Sequence, residues 1–97
     1  MIEFLGLCRR AGKLTIGVKL TIEAIKKSEV YCVVITSDAS AKTKKEAEFF
    51  AGDKIPVIIT SQTTDDIKRI INVPCAVLGV TDENMAKKVI ALEGTSM

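Results

Sequence analysis

The chain has 97 residues, 47% of them hydrophobic and 27% charged, with fourteen Lys and Arg against twelve Asp and Glu. That length makes one domain around one compact core and leaves no room for a second. No histidine occurs, which removes the commonest general base and metal ligand, and with it any Ser-His or Cys-His nucleophile pair.

The formal net charge of +2 says little, but its distribution says more. Residues 1–45 carry nine Lys and Arg against four acids, whereas residues 46–97 carry five against eight. A small domain polarised in this way suits a polyanionic partner. Cys8, Cys32 and Cys75 are odd in number, widely spaced and set in apolar surroundings. They read as reduced core thiols of a cytoplasmic protein rather than as disulfides or metal ligands. Met1-Ile2-Glu3 opens with an acid, unlike a secretory signal, and the apolar runs are strand-length, too short to span a membrane. No cofactor is expected.

In chain order, Phe4, Leu5, Cys8 and Ala11 give an apolar stripe at helical spacing over residues 2–11, with Gly12 as C-cap and Arg9 and Arg10 complementing the dipole. Residues 13–16 predict a short strand, and Gly17 breaks it before a helix over 18–28. The run from Val30 to Thr36 predicts a strand buried on both faces. Residues 37–40 supply N-cap chemistry for a helix over 41–51 that packs through Ala47, Phe50 and Ala51. Pro56 to Thr60 predicts another buried strand. A short helix carrying Ile67, Ile70 and Ile71 follows, broken at Asn72-Val73-Pro74. Cys75 to Val80 predicts the last buried strand. Thr81-Asp82 caps a final helix with the stripe Met85, Ala86, Val89 and Ile90, and Gly94 to Met97 is expected to fray. Alternating strands and helices predict an α/β fold, a three-layer α/β/α sandwich around about four strands.

Several chemistries find no support. Leu14 follows Gly12-Lys13 where a phosphate loop needs Ser or Thr, no GxGxxG opens a helix, and no Cys-x-x-Cys occurs. Asp38, just past the central strand, occupies a place where α/β sheets put active residues. It stands without a companion acid cluster, so it reads as an N-cap or turn residue, and no enzyme is expected.

The stretch Gly12–Lys27 is the most informative. Together with Arg9-Arg10 it carries six cations and one acid, Glu23. Val18, Ile22 and Ile25 are expected to form the buried stripe of the helix. Leu20, about 200° around the helix from Val18, then points outward. A helix N-terminus presents free N–H groups and a positive dipole end to phosphate, and here Lys19, Thr21 and Gly17 stand beside it. Arg10 and Lys13 belong to the same basic stretch and are expected to bind RNA with it. Lys42, Lys44 and Lys45 lie on the helix after the central strand, whose start is expected beside the first.

The residues Arg9-Arg10-Ala11-Gly12-Lys13-Leu14, Gly17, Asp38-Ala39-Ser40, Thr43-Lys44-Lys45 and Ile71-Asn72-Val73-Pro74-Cys75-Ala76 together resemble the bacterial YlxQ-type proteins. These belong to the superfamily of kink-turn-binding ribosomal proteins, with the archaeal multifunctional large-subunit protein and the eukaryotic snoRNP core protein as relatives. The resemblance covers nearly the whole chain in matching order. It implies a non-catalytic, ribosome-associated protein, monomeric when free and binding neither DNA nor membrane, that recognises a kink-turn RNA with tandem sheared G·A pairs. Carried over by position, RNA contacts fall on Gly17, Val18, Lys19, Leu20, Thr21 and Glu23, on Ser40 and Lys44, and on Ile71, Asn72 and Val73. For that last loop to reach Gly17, the last strand must run antiparallel to the central one, so the resemblance implies a mixed sheet. Two departures stand out. The better-known kink-turn binders have Asn-Glu where this chain has Lys19-Leu20, and lysine in place of Glu23. Glu23 is expected to pair with Lys19 or Lys27 along the helix. A protein-interaction or oligomeric scaffold using Leu20, Ile71 and Val73 is the alternative reading.

Overall fold

The computed structural model describes residues 2–93, so the tail Gly94–Met97 lies outside the described residues. The elements follow as α1 (Ile2–Arg10), β1 (Leu14–Ile16), α2 (Val18–Lys26), β2 (Cys32–Ile35), α3 (Ala41–Ala51), β3 (Val57–Ile59), α4 (Thr64–Ile71), β4 (Val77–Val80) and α5 (Glu83–Glu93). The strands are shorter than the apolar runs that encode them. Tyr31, for example, falls outside β2 and is exposed.

The sheet order is β1-β4-β2-β3, with β4 antiparallel to both of its neighbours and β3 parallel to β2. The sheet is therefore mixed, and β1, β2 and β3 all point the same way. Alternation along the strands divides the core between two faces. Cys32 and Val34 of β2 and Leu78 and Val80 of β4 join Leu5, Cys8, Ile67, Ile71, Ala86 and Val89 beneath α1, α4 and α5. Val33, Ile35 and Val77 face the other way and pack with Ala24 of α2 and Ala47 of α3. Among the described residues, no helix is long and apolar enough to cross a membrane.

Helix ends follow local chemistry. Gly12, at φ +72°, turns the chain out of α1. Thr63 caps α4 in a reciprocal box, accepting from the Asp66 amide while the Asp66 carboxylate accepts from the Thr63 amide. Asp82 accepts from the Met85 amide at the start of α5.

Two expectations about burial are corrected. β3 has one strand neighbour and forms an edge of the sheet, so Ile59 stays half exposed instead of buried on both faces. In α2 the fully buried residues are Thr21 and Ala24, while Val18, Ile22 and Ile25 are half-buried along the seam with α3. The cause is Gly79 of β4, which leaves room for a polar side chain to descend onto the sheet. Thr21 drops into that room, and its hydroxyl is satisfied by Thr15 Oγ1 at 2.9 Å.

Candidate nucleic-acid interface

Because β1, β2 and β3 are co-directional, their C-terminal ends share one rim, and α2, α3 and α4 all begin there. The N-terminal end of antiparallel β4 reaches the same rim and brings residues 72–76 with it. Backbone bonds tie these parts together. The Gly17 amide donates to the Val77 carbonyl, the Thr36 amide to the Ala76 carbonyl and the Ser37 amide to the Gln62 carbonyl, each at 2.9 Å. The loop before β4 thus comes up between the start of α2 and the turn after β2.

Three helix N-termini converge here, and they differ. Ser40 caps α3 by accepting from the Thr43 amide, and its hydroxyl donates to Thr43 Oγ1. The box at Thr63 closes α4, whose first turn carries Asp65 and Asp66. At α2 the N-cap is Gly17, with φ 97° and ψ 160°, no side chain closes the first turn, and no acid stands in it. The leading amides of α2 therefore keep their donor capacity at the positive end of the dipole. Lys19 and Leu20 are exposed beside them, with Leu20 at 56%. A Cβ built on Gly17 would meet nothing within 4 Å, so glycine is needed for its backbone angles and the space above is open.

The expected site residues separate into groups. Gly17, Val18, Lys19, Leu20, Ser40, Lys44, Asn72 and Val73 lie along the rim. Asn72 ends α4 at φ 64°, and Val73 beyond it is exposed. Two rim positions are corrected. Thr21 is 1% exposed and its hydroxyl is engaged with Thr15, so it supports α2 from below and offers no surface. Ile71, also 1% exposed, is a core residue in contact with α1 and the sheet. Glu23 is exposed one turn beyond Lys19, and among the described residues it makes no ion pair with Lys19 or Lys27. Arg10 and Lys13 are not at this rim. Lys13 sits at the other end of β1, where its carbonyl accepts from the Thr81 amide, about 13 Å from Gly17 at strand rise.

Asp38 is also on the rim, in a role that sequence reasoning missed. It caps no residue of α3. Instead, Thr64 donates to Asp38 Oδ1 through both its amide (3.0 Å) and its hydroxyl (2.9 Å), which staples the turn after β2 to the start of α4. Its carboxyl is held below the ordinary carboxylate range, first by the Thr36 hydroxyl and then by the Thr64 hydroxyl and amide. The Thr36 hydroxyl is buried and makes no hydrogen bond, so the two bonds from Thr64 are the contacts that hold the Asp38 carboxylate in place. A carboxyl depressed by folding contributes stability above its unfolded value and loses that stability as pH falls through its folded value. Asp38→Asn is therefore expected to lower the melting temperature at neutral pH, and the gap from wild type should close on acidification. A gap that stays constant with pH would show that the staple works without the charge.

The cysteines are buried thiols on the α1/α4/α5 side. Burial, reinforced by neighbouring Cys8, pushes the Cys32 thiol up to about 12. Burial raises Cys75 as well, opposed by the Gly17 amide beside it. Held as thiols, they are poor nucleophiles and poor ligands.

Comparison with known proteins relates the chain to others by sequence and by fold. RNA-binding protein YlxQ of Enterococcus faecium is 32% identical over 87 residues, covering 90% of this chain and 84% of that protein. Large ribosomal subunit protein eL30 of Yarrowia lipolytica is 38% identical over 47 residues, covering 48% of this chain and 43% of that protein. Among solved structures, a protein of unknown function from Bacillus halodurans superposes with TM-score 0.86 at 31% identity, covering 94% of this chain and 93% of the other. The 15.5kD RNA binding protein of Giardia lamblia shares the fold, with TM-score 0.80 at 14% identity over 96% of this chain and 83% of the other. The model of the Ribosomal protein L7Ae/L30e/S12e/Gadd45 family matches residues 2–90, and the chain belongs to that family.

Proposed function

We propose that this protein binds structured RNA without catalysis, as a ribosome-associated factor of the cytoplasm, and recognises a kink-turn or a similar bent internal loop at the α2 rim. The observation that carries the reading is the start of α2. Of the three helices that begin at the rim, it alone has neither a side-chain cap nor a first-turn acid, and it presents Gly17, Lys19 and open space to a ligand. Free amides at a dipole's positive end, flanked by a mobile cation, are phosphate-binding chemistry. Asn72 and Val73, raised beside them by the antiparallel β4, supply a polar and an apolar contact for unstacked bases. The YlxQ relative, matched over nine-tenths of this chain, is itself named an RNA-binding protein.

The test is a gel shift with a kink-turn duplex and a control whose G·A pairs are mutated. The intact kink-turn is expected to bind more tightly. Lys19→Ala should weaken binding and reduce the slope of log affinity against log salt by about one, as expected for loss of one phosphate contact. Equal binding to both duplexes, or to neither, would sink the kink-turn reading.

A second reading rests on Leu20, more than half exposed where an RNA-facing side chain would ordinarily be polar. It makes the same rim a protein-docking surface, although the burial of Ile71 withdraws one of the three apolar residues expected there. A partner retained after nuclease and high salt, and lost in Leu20→Asp, would favour it.

A further inference from the structure

The chain contains only three arginines, Arg9, Arg10 and Arg69, against eleven lysines. All three line one concavity of about 360 Å³ between α1 and α4. Gly6 of α1 and Ile70 of α4 meet in its lining. A Cβ on Gly6 would come 2.9 Å from Ile70 Cγ2, so glycine lets α4 press against α1, and the guanidinium groups are carried along the crevice. Glu3 is the one acid of the lining, which leaves an excess of two positive charges. The Arg69 side chain is 80% exposed, and its approach to Asp66 on its own helix is a long 4.0 Å.

Helix dipoles explain why cations sit in the last turns of α1 and α4. They do not explain why these cations are arginine, nor why two helices distant in sequence aim them into one crevice. Lys68 satisfies the dipole of α4 equally well and is not part of the lining. Arginine differs from lysine in its planar fork of donors, which fits phosphate oxygens in a bidentate manner. The crevice is open and its guanidinium groups are solvated, so it cannot hold a single small anion tightly. A polyanion that releases counterions at several phosphates is the ligand such a cluster can retain.

We propose that the α1–α4 crevice is a second RNA contact, gripping the phosphodiester backbone of a helical arm that extends from the segment held at the α2 rim. The proposal rests on the RNA-binding reading above, and the two can fail separately. The body measures 29 × 28 × 27 Å, so an arm leaving the rim passes the α1–α4 face within about ten base steps of A-form rise, a span short enough to stay stiff.

The experiment measures fluorescence anisotropy with two labelled kink-turn RNAs, one with short arms and one with long arms. It uses wild type, the triple variant Arg9→Ala/Arg10→Ala/Arg69→Ala, and Lys19→Ala. The triple variant is expected to bind the long-armed RNA about ten- to a hundred-fold more weakly, with a salt slope lower by about two to three. It should bind the short-armed RNA like wild type and keep the preference for intact G·A pairs, whereas Lys19→Ala loses affinity for both RNAs. Unchanged affinity and salt slope on the long-armed RNA would overturn the second contact. If wild type shows no G·A preference while the triple variant still loses affinity and slope, the rim reading fails and the crevice stands. A circular dichroism melt matching wild type shows that the triple variant is folded.

Discussion

Gly79→Ala is expected to destabilise the fold by about 1–3 kcal/mol through overpacking alone. The added Cβ would lie 2.5 Å from Thr15 Oγ1, 3.1 Å from Thr21 Cγ2 and 3.4 Å from Val30 Cγ2. Neither threonine can swing away cheaply. Both are β-branched, and their hydroxyls are bonded to each other across the glycine. Relief must come from lifting α2 off β4, which breaks the Thr15–Thr21 bond or exposes Ala24. Urea denaturation measures the loss as a lower midpoint at unchanged slope. On a Thr15→Ala background the clashing oxygen is gone, so the Gly79→Ala penalty should shrink, and the double-mutant cycle should give a coupling energy well outside additivity. A penalty of equal size on both backgrounds would place its origin elsewhere.

Gly17→Ala is expected to cost a similar amount for the opposite reason. Nothing lies within 4 Å of its Cβ position, so no overlap occurs. Its φ of 97° and ψ of 160° fall in a region that L-residues with a side chain occupy only under strain of about 1–3 kcal/mol. The chain can relax that strain only by rotating φ, which turns the leading amides of α2 and Lys19 away from their present direction. Gly17→Ala should therefore lower both the denaturation midpoint and RNA affinity, whereas Gly79→Ala acts mainly on the midpoint. A semisynthetic protein with D-alanine at position 17 separates strain from crowding, because D-residues favour positive φ. It should restore most of the wild-type stability, and because its methyl takes the place of the other α-hydrogen, failure to do so would locate the loss in crowding on that side of Gly17.

Sequence periodicity carried most of the architecture, because strands covered on both faces are nearly all apolar and the helices between them keep regular stripes. β2 and β4 were legible for that reason. Burial of single residues was less legible where it depended on a distant partner. Thr21 reads as a surface hydroxyl until Thr15 and Gly79, brought together by the β1–β4 ladder, are known to enclose it. The stripe Ile67, Ile70 and Ile71 already put Ile71 on a helix face, and only the resemblance drew it into the RNA-contacting loop; the left-handed turn at Asn72 comes one residue later and leaves Ile71 in the core. Arg10 and Lys13 adjoin Gly17 in the chain, and a three-residue strand is enough to carry them to the opposite end of the sheet. The meeting of Arg69 with Arg9 and Arg10 left no local trace. The scarcity of arginine in the chain was the one hint available.

The strand order has a consequence for the history of the molecule as well as its shape. β1 pairs with β4 and with no other strand, and β4 is the last strand to be synthesised. Until Val77–Val80 have left the ribosome, β1 has no ladder to join, Gly17 has no Val77 carbonyl to bond, and α2 has no Gly79 to rest on. Pairings between residues so far apart in sequence are made late, since chain closure must precede any gain from contact. The rim is thus assembled only once β4 is present, and a chain interrupted before β4 carries every exposed cation of α2 without the surface that organises them.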